Sequence, residues 1–437
     1  MTSEWSEAAA AFAAGDRAQP ERATRPGRLL CVYQHAPTPG APGIYRHRRY
    51  FAELVRRGWS VDLVSTPRNY MTGELPAFYR NRPTISETID GIRHHWVWTP
   101  GDIHRSRAAR VANYAGFATA AALRSLTLPR PDVVLVSSPP LPVASLGPLL
   151  ARRFRCPWLL EIRDVWPESA ASVGWLSEEG VTYRLLLRFA HAVTARAPAV
   201  IIPTPGLEPH VRNHGAKTIR TLPGIVEARP RDPERRRLTR ARLGIGEEEC
   251  VFLYLGAIGV ANGLDLLATA VESLPAHLAA RVVVAGDGSA RRSFAEAVAA
   301  RDLRRVRLLP PVSQEEVRDL LAAGDVGLHL LRPDPVFASA LPTKALEYLG
   351  AALPFVTTVP GLPSEVAVAA GGAAVTSPAE LATELAAWTQ MGPEQRRARG
   401  EQALRYGLER FGLDQSVGRF EALLEEILAG ATPAAQS

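Results

Sequence analysis

Three short segments of this 437-residue chain place reactive side chains at spacings that chemistry can use. In Phe337-Ala-Ser-Ala-Leu-Pro-Thr-Lys-Ala-Leu-Glu347-Tyr, Pro342 stands where a first helical turn tolerates it, and an apolar-periodic helix follows. Lys344 and Glu347 are three apart, so they share a helix face near its N-terminus. Free backbone N–H groups, the helix dipole and an ammonium make an anion site suited to a diphosphate. A carboxylate one turn later can accept hydrogen bonds from sugar hydroxyls. The bland alternative is a Pro-started surface helix with an ordinary lysine and glutamate. Gly256-Ala-Ile-Gly259-Val-Ala-Asn262-Gly263 follows a strand and opens a helix. Small residues there let the backbone approach a pyrophosphate, although a tight turn asks for the same glycines. Glu161-Ile-Arg163-Asp164-Val-Trp166-Pro-Glu168 packs three carboxylates, an arginine and a tryptophan into eight residues after another strand. Asp164 can orient a hydroxyl or take its proton; a salt-bridged loop is the competing account.

The elements that must hold these segments alternate short apolar strands with amphipathic helices. Strands are expected at 29–33, 60–64, 93–98, 132–136, 157–161 and 199–203, with helices at 44–57, 106–126, 142–154 and 182–195. Residues 68–90 show neither period and read as a lid or binding loop, or as disorder. A Pro/Arg-rich stretch from Pro223 to Arg240 reads as a break between domains. The rhythm then restarts, with strands at 251–255, 281–285, 306–309, 326–330 and 354–358 and helices between them. Buried strands separated by helices indicate doubly wound parallel sheets. The expected architecture is α/β, with two such domains facing across a cleft. The boundaries are a disordered or loosely helical lead at 1–26, a first domain at 27–225, a second at 226–412 and a terminal helix at 413–430.

Composition narrows the class. Apolar content of 46% and charged content of 22% are those of a soluble globular protein. The net charge of +7 comes from arginine, because Lys217 and Lys344 are the only lysines. A lysine retained where arginine fills nearly every basic position marks a place for a compact point charge. The arginines are dispersed and no RNA-binding module or helix-turn-helix pattern is present, so no nucleic-acid partner is expected. Arg152, Arg153 and Arg155, with the Leu-rich helix carrying Arg184 and Arg188, are compatible with peripheral contact to anionic lipid and equally with a solvated basic surface. Cys31, Cys156 and Cys250 are an odd count with no metal-ligand spacing, which fits buried reduced thiols in a cytoplasmic protein. The histidines are scattered and suggest no metal site. No apolar run approaches a membrane span.

Pro-Thr-Lys344 followed by Leu-Glu347-Tyr, with an apolar strand next, resembles the donor-sugar signature of family 4 glycosyltransferases. The resemblance runs from about residue 30 to about 425, and it implies the GT-B fold. It also implies a retaining transfer from a nucleotide-diphosphate sugar, with no metal and no cofactor beyond that co-substrate. Residue by residue, it assigns Lys344, Glu347 and Asp164 to catalysis. It assigns Gly256, Gly259, Asn262, Gly263 and Thr343 to the donor, with the Gly286-Asp-Gly288 turn, Val312 beside the base and Arg332 as a substitute basic residue. The segment from Glu161 to Ser169 resembles a signature of bacterial amino-sugar transferases of surface-polysaccharide synthesis, placing Arg163, Trp166 and Glu168 at the acceptor. Ser137-Ser-Pro-Pro140 and Arg68-Asn-Tyr-Met-Thr-Gly73 fit the same subgroup. Gly43, in a Pro/Gly turn before the first helix, falls where the family brings acceptor and donor phosphate together. The acceptor is sugar-bearing or a small molecule, and the terminal helix is expected to pack back on the first domain.

The chain departs from the family pattern at Ile258 and Asn262, where basic residues are usual, at Pro223-Gly-Ile-Val-Glu227, where Pro-Asn-Gly-Val-Asp is usual, and chiefly in its carboxylates. The family's first glutamate, eight or nine residues before the second, is replaced by Ala338 and Ser339. An altered donor, slow turnover, or a non-catalytic accessory protein that binds a partner enzyme or sugar nucleotide would each follow from its loss.

Overall fold

The computed structural model describes residues 26–41, 45–70, 72–101, 103–172, 174–229, 232–332, 337–338 and 340–431. The expected lead, Met71, Gly43 and Ser339 lie outside them. The chain forms two compact units, one running to Pro223 and resuming at Ser416, the other spanning Gly224–Gln415.

The first unit is built on β1 (Arg28–Val32), β2 (Ser60–Ser65), β3 (Thr84–Ile89), β4 (Ile92–Val97), β5 (Val133–Ser138), β6 (Trp158–Ile162), β7 (Ala199–Ile202) and β8 (Ile219–Thr221). Their order is β3-β4-β2-β1-β5-β6-β7-β8, parallel throughout except for the β3–β4 hairpin. That hairpin corrects the reading of residues 68–90 as a single irregular loop. Ile89 pairs with Ile92 across a two-residue turn in which Asp90 and Gly91 both have positive φ, the geometry a hairpin turn requires. β3 is half exposed and alternates along its length, as an edge strand does. One face of the sheet carries the helices Arg107–Leu126, Leu146–Phe154 and Val181–Thr194. These bury Phe117, Leu150, Phe154 and Val193 against Val32, Val136 and Leu160 in one core. Arg46–Arg56 and the terminal helix Leu413–Ala431 meet through Tyr50 and Phe420 (5.8 Å between rings) and through Arg57 and Trp59, both bonded to Glu421 at 3.0 Å.

The second unit carries β9 (Cys250–Leu255), β10 (Ala280–Ala285), β11 (Val306–Leu309), β12 (Val326–His329), β13 (Phe355–Thr357) and β14 (Ala373–Ala374). All are parallel, in the order β11-β10-β9-β12-β13-β14. The Pro/Arg-rich stretch is only partly a break, because Pro233–Leu243 is a helix. Asp232 caps it, Pro233 takes the first position, and Gly244 closes it in the left-handed conformation. Its arginines are anchors: Arg240 is fully buried, donates to four backbone carbonyls and pairs with Asp325 at 2.7 Å, and Arg236 reaches the same carboxylate at 2.8 Å. The two ends of this unit touch, the Val226 N–H donating to Phe411 O at 2.8 Å beside a bridge between Val226 and Gly412.

Candidate active site

In the second unit, the turns after β9 and β10 stack backbone on backbone. Gly256 N–H donates to Ala285 O at 2.9 Å, Ile258 N–H to Asp287 O at 2.8 Å, and Ala290 N–H to Ile258 O at 2.9 Å. A Cβ on Gly286 would overlap the Gly256 carbonyl, and one on Gly288 would come within 2.5 Å of Ile258 O. Both glycines also sit at φ 151°, so this packing is open only to glycine. Asn262 turns inward, its Oδ1 accepting from Gly259 N–H at 2.8 Å, and Gly263 (φ 60°) starts the helix Leu264–Glu272. The guanidinium of Arg332 clamps the same turn, donating to Val260 O at 3.1 Å and to Asp265 at 3.0 Å.

Lys344 meets this turn. The helix Thr343–Gly350 follows Pro342 as its N-cap, and among the described residues no side chain caps its first N–H groups. Tyr348 seats it, its ring over Gly327 and its hydroxyl donating to Leu253 O at 3.0 Å while accepting from Leu255 N–H at 3.2 Å. One turn earlier, Lys344 Nζ lies 4.2 Å from the centre of the Tyr254 ring and 3.5 Å from where a Gly256 Cβ would stand. Among the described residues, no carboxylate forms an ion pair with it. Burial lowers its pKa to about 8, with Glu347 pulling the other way. Glu347 itself is half-buried, 3.7 Å from Arg229. Thr343 is exposed, and Val312 packs partly buried against the core. Ala338 O accepts from Leu362 N–H at 2.9 Å, tying the segment that lacks the first glutamate to the helix Leu362–Ala369.

His329 was not singled out from the sequence. It ends β12, is buried, and shares a hydrogen bond between Nδ1 and Thr357 Oγ1 at 3.0 Å. Burial first, and Lys344 second, push its pKa to about 3, so it is neutral. Its place at the carboxyl end of a central strand is the signal that could have found it.

In the first unit the three carboxylates part company. Glu161, inside β6 and 2% exposed, receives Arg46, His47 and Ser137, each at 2.5 Å. Burial opposes its ionisation, but the surrounding cations and hydrogen bonds hold its carboxyl well below the usual range. Burial lowers the pKa of His47 while Glu161 pulls it up, and Arg46 places its remaining donors on Leu222 O at 2.6 Å and Pro223 O at 3.2 Å. Glu168 accepts from His214 at 2.5 Å. Asp164 is half-buried, accepts from the Ser169 hydroxyl, and has no ion pair among the described residues. It lines a small pocket with Ser138, Ile162, Trp166 and His214. Arg163 points elsewhere, donating to Ser137 Oγ at 3.0 Å and Pro139 O at 2.6 Å, 4.6 Å from the Tyr33 ring centre. The structure thus brings Asp164 and Trp166 together and assigns Glu161 to a buried ionic cluster whose partners were not legible in the sequence.

The chain is similar to known proteins. A family model described as a glycosyl transferase 4-like domain matches residues 42–223, and one described as glycosyl transferases group 1 matches 249–390. The probable glycosyltransferase WbjE of Pseudomonas aeruginosa is 24% identical over 53% of this chain and 58% of its own length. The GPI3 subunit of the phosphatidylinositol N-acetylglucosaminyltransferase of Saccharomyces cerevisiae is 30% identical over 34% of this chain and 33% of its own. The chain therefore spans less than two thirds of either relative. The Anabaena protein Alr3699/HepE, solved in complex with UDP-glucose, superposes with a TM-score of 0.64 at 16% identity, covering 92% of this chain and all of that one. The paired family matches and the two parallel-sheet units together establish that the chain belongs to family 4 of the glycosyltransferases and has the GT-B fold.

Proposed function

We propose that the chain moves a sugar, with retention, from a nucleotide-diphosphate sugar to a hydroxyl acceptor. The acceptor is a glycolipid or polysaccharide precursor or a secondary-metabolite intermediate. One observation carries this reading: a half-buried lysine that forms no carboxylate ion pair among the described residues, at the start of a helix whose N-cap is Pro342 and against a glycine that leaves room beside it. Desolvation has weakened the proton's hold on that ammonium, and an arriving diphosphate restores it. Lys344 and the first helical N–H groups stabilise the charge that grows on the departing diphosphate. Glu347, one turn on, faces ribose or sugar hydroxyls. Asp164 addresses the acceptor hydroxyl, with Trp166 as a wall of its pocket. The diphosphate can itself take the acceptor's proton when attack comes on the face that it vacates, which preserves the configuration. The complex of Alr3699/HepE with UDP-glucose supports the donor class.

The absence of the first glutamate favours one competitor, a non-catalytic accessory protein. The experiment is a panel of nucleotide sugars titrated against wild type and Lys344→Ala, with hydrolysis followed in parallel. Lys344-dependent binding and turnover of one sugar nucleotide is expected. Binding of none would refute the donor site, and binding with no turnover, even with glycolipid acceptors supplied, would favour the accessory protein.

A further inference from the structure

The three helices that cover one face of the first unit's sheet are Arg107–Leu126, Leu146–Phe154 and Val181–Thr194, and none contains an aspartate or glutamate. Every other α-helix among the described residues contains at least one. On the Arg46–Arg56 and Leu413–Ala431 helices, arginines are matched by acids, as in Arg57 with Glu421 and Arg48 with Asp90. On the acid-free face Arg152, Arg153, Arg184 and Arg188 are exposed and have no ion pair among the described residues.

The same face displays large aliphatic side chains. Val111 is 68% exposed, Leu123 64%, Val181 65%, Leu185 58% and Leu149 50%. In the helix Val181–Thr194, residues 181, 185 and 188 fall on one stripe at 100° per residue, with Arg184 beside it. Aliphatic side chains flanked by arginines are the composition of a helix that lies in a membrane interface. A nucleic-acid surface would instead interleave several exposed aromatic rings for stacking; here Trp175 is covered by Arg110 at 3.9 Å and Tyr183 is only partly exposed. Glu178 and Glu179, just before the helix, mark where the acid-free surface stops.

We infer that this face docks on a bilayer containing anionic phospholipid, the arginines meeting headgroup phosphates and the valines and leucines entering the acyl boundary. Such a face would bring a lipid-borne acceptor to the chain, yet its test needs no sugar transfer, so its failure leaves the donor-site reading untouched. The full chain is floated with vesicles of phosphatidylcholine alone or with about one third phosphatidylglycerol, an anionic fraction large enough to set a negative surface potential. Wild type is expected to partition onto the anionic vesicles, and less so as salt rises. Arg184→Gln with Arg188→Gln should weaken partitioning about 30-fold, and Val181→Ser with Leu185→Ser should weaken it at every salt concentration. Arg292→Gln, on the second unit, should leave it unchanged. Unaltered thermal unfolding of each variant shows that the fold survives. Absence of binding to anionic vesicles, equal binding by the arginine variant, or equally tight binding of duplex or single-stranded DNA would overturn the inference.

Discussion

Lys344 can be interrogated without mutation, because its pKa of about 8 lies inside an accessible pH range. Only the ammonium form attracts a diphosphate, so donor affinity follows the protonated fraction of the free protein. The sign is set by the direction of the shift: the charge is present below about 8 and is lost as pH rises through that value. Between about pH 6.5 and about pH 8.5 the fraction falls from roughly 0.97 to roughly 0.24, a fourfold loss of affinity, or about 0.8 kcal/mol. Calorimetric titration with UDP-glucose across that range measures it, since a nucleotide-sugar diphosphate has no ionisation of its own there. Lys344→Arg keeps its charge throughout and should flatten the profile. Lys344→Ala should be flat and weaker at every pH. A wild-type affinity that does not change, or a slope that survives in Lys344→Arg, would refute the assignment of Lys344 to the diphosphate.

Gly286→Ala forces a Cβ onto the Gly256 carbonyl at a φ that alanine avoids, and should destabilise by about 2 kcal/mol or more while weakening donor binding, both read in one ligand-dependent melt. Glu161→Gln leaves Arg46 buried without a counter-charge and should cost about 3–5 kcal/mol in urea unfolding. Because the folded carboxyl is held low, the wild-type advantage should be full above the unfolded carboxyl pKa of about 4.3 and shrink as pH falls below it. Asp164→Asn should leave the donor dissociation constant unchanged and lower transfer by about 10²-fold or more, measured with saturating donor.

The sequence was most legible where function depends on local order. A glycine turn after a strand, and Pro-Thr-Lys opening a helix, are both short-range patterns, and the structure places Lys344 against Gly256 although 88 residues separate them. The parallel strands were legible for the same reason, as short apolar runs between helices. Two local signals were overridden by composition. Asp90-Gly91 announces a hairpin, but the polar residues around it hid the alternation of β3. Asp232-Pro233-Glu234 announces a helix start, but the Pro/Arg-rich composition around it read as a break between domains. What no local pattern could yield was pairing at a distance. Glu161 looked like one of three site carboxylates, and its hydrogen bonds with Arg46 and His47 depend on the helix Arg46–Arg56 lying beside β6. Arg240 likewise needed Asp325 to become a buried residue.

The meeting of Val226 with Phe411 and Gly412 has a consequence for how the chain acquires its structure. The second unit is contiguous and its ends are joined, so on a translating ribosome it can close as soon as its last residues emerge. The first unit is interrupted. Its sheet is made early, but Phe420 and Glu421, which meet Tyr50, Arg57 and Trp59, arrive only with the final helix. For the whole time that the second unit is being synthesised, that earlier surface waits uncovered. The half of the protein made first is therefore the half completed last.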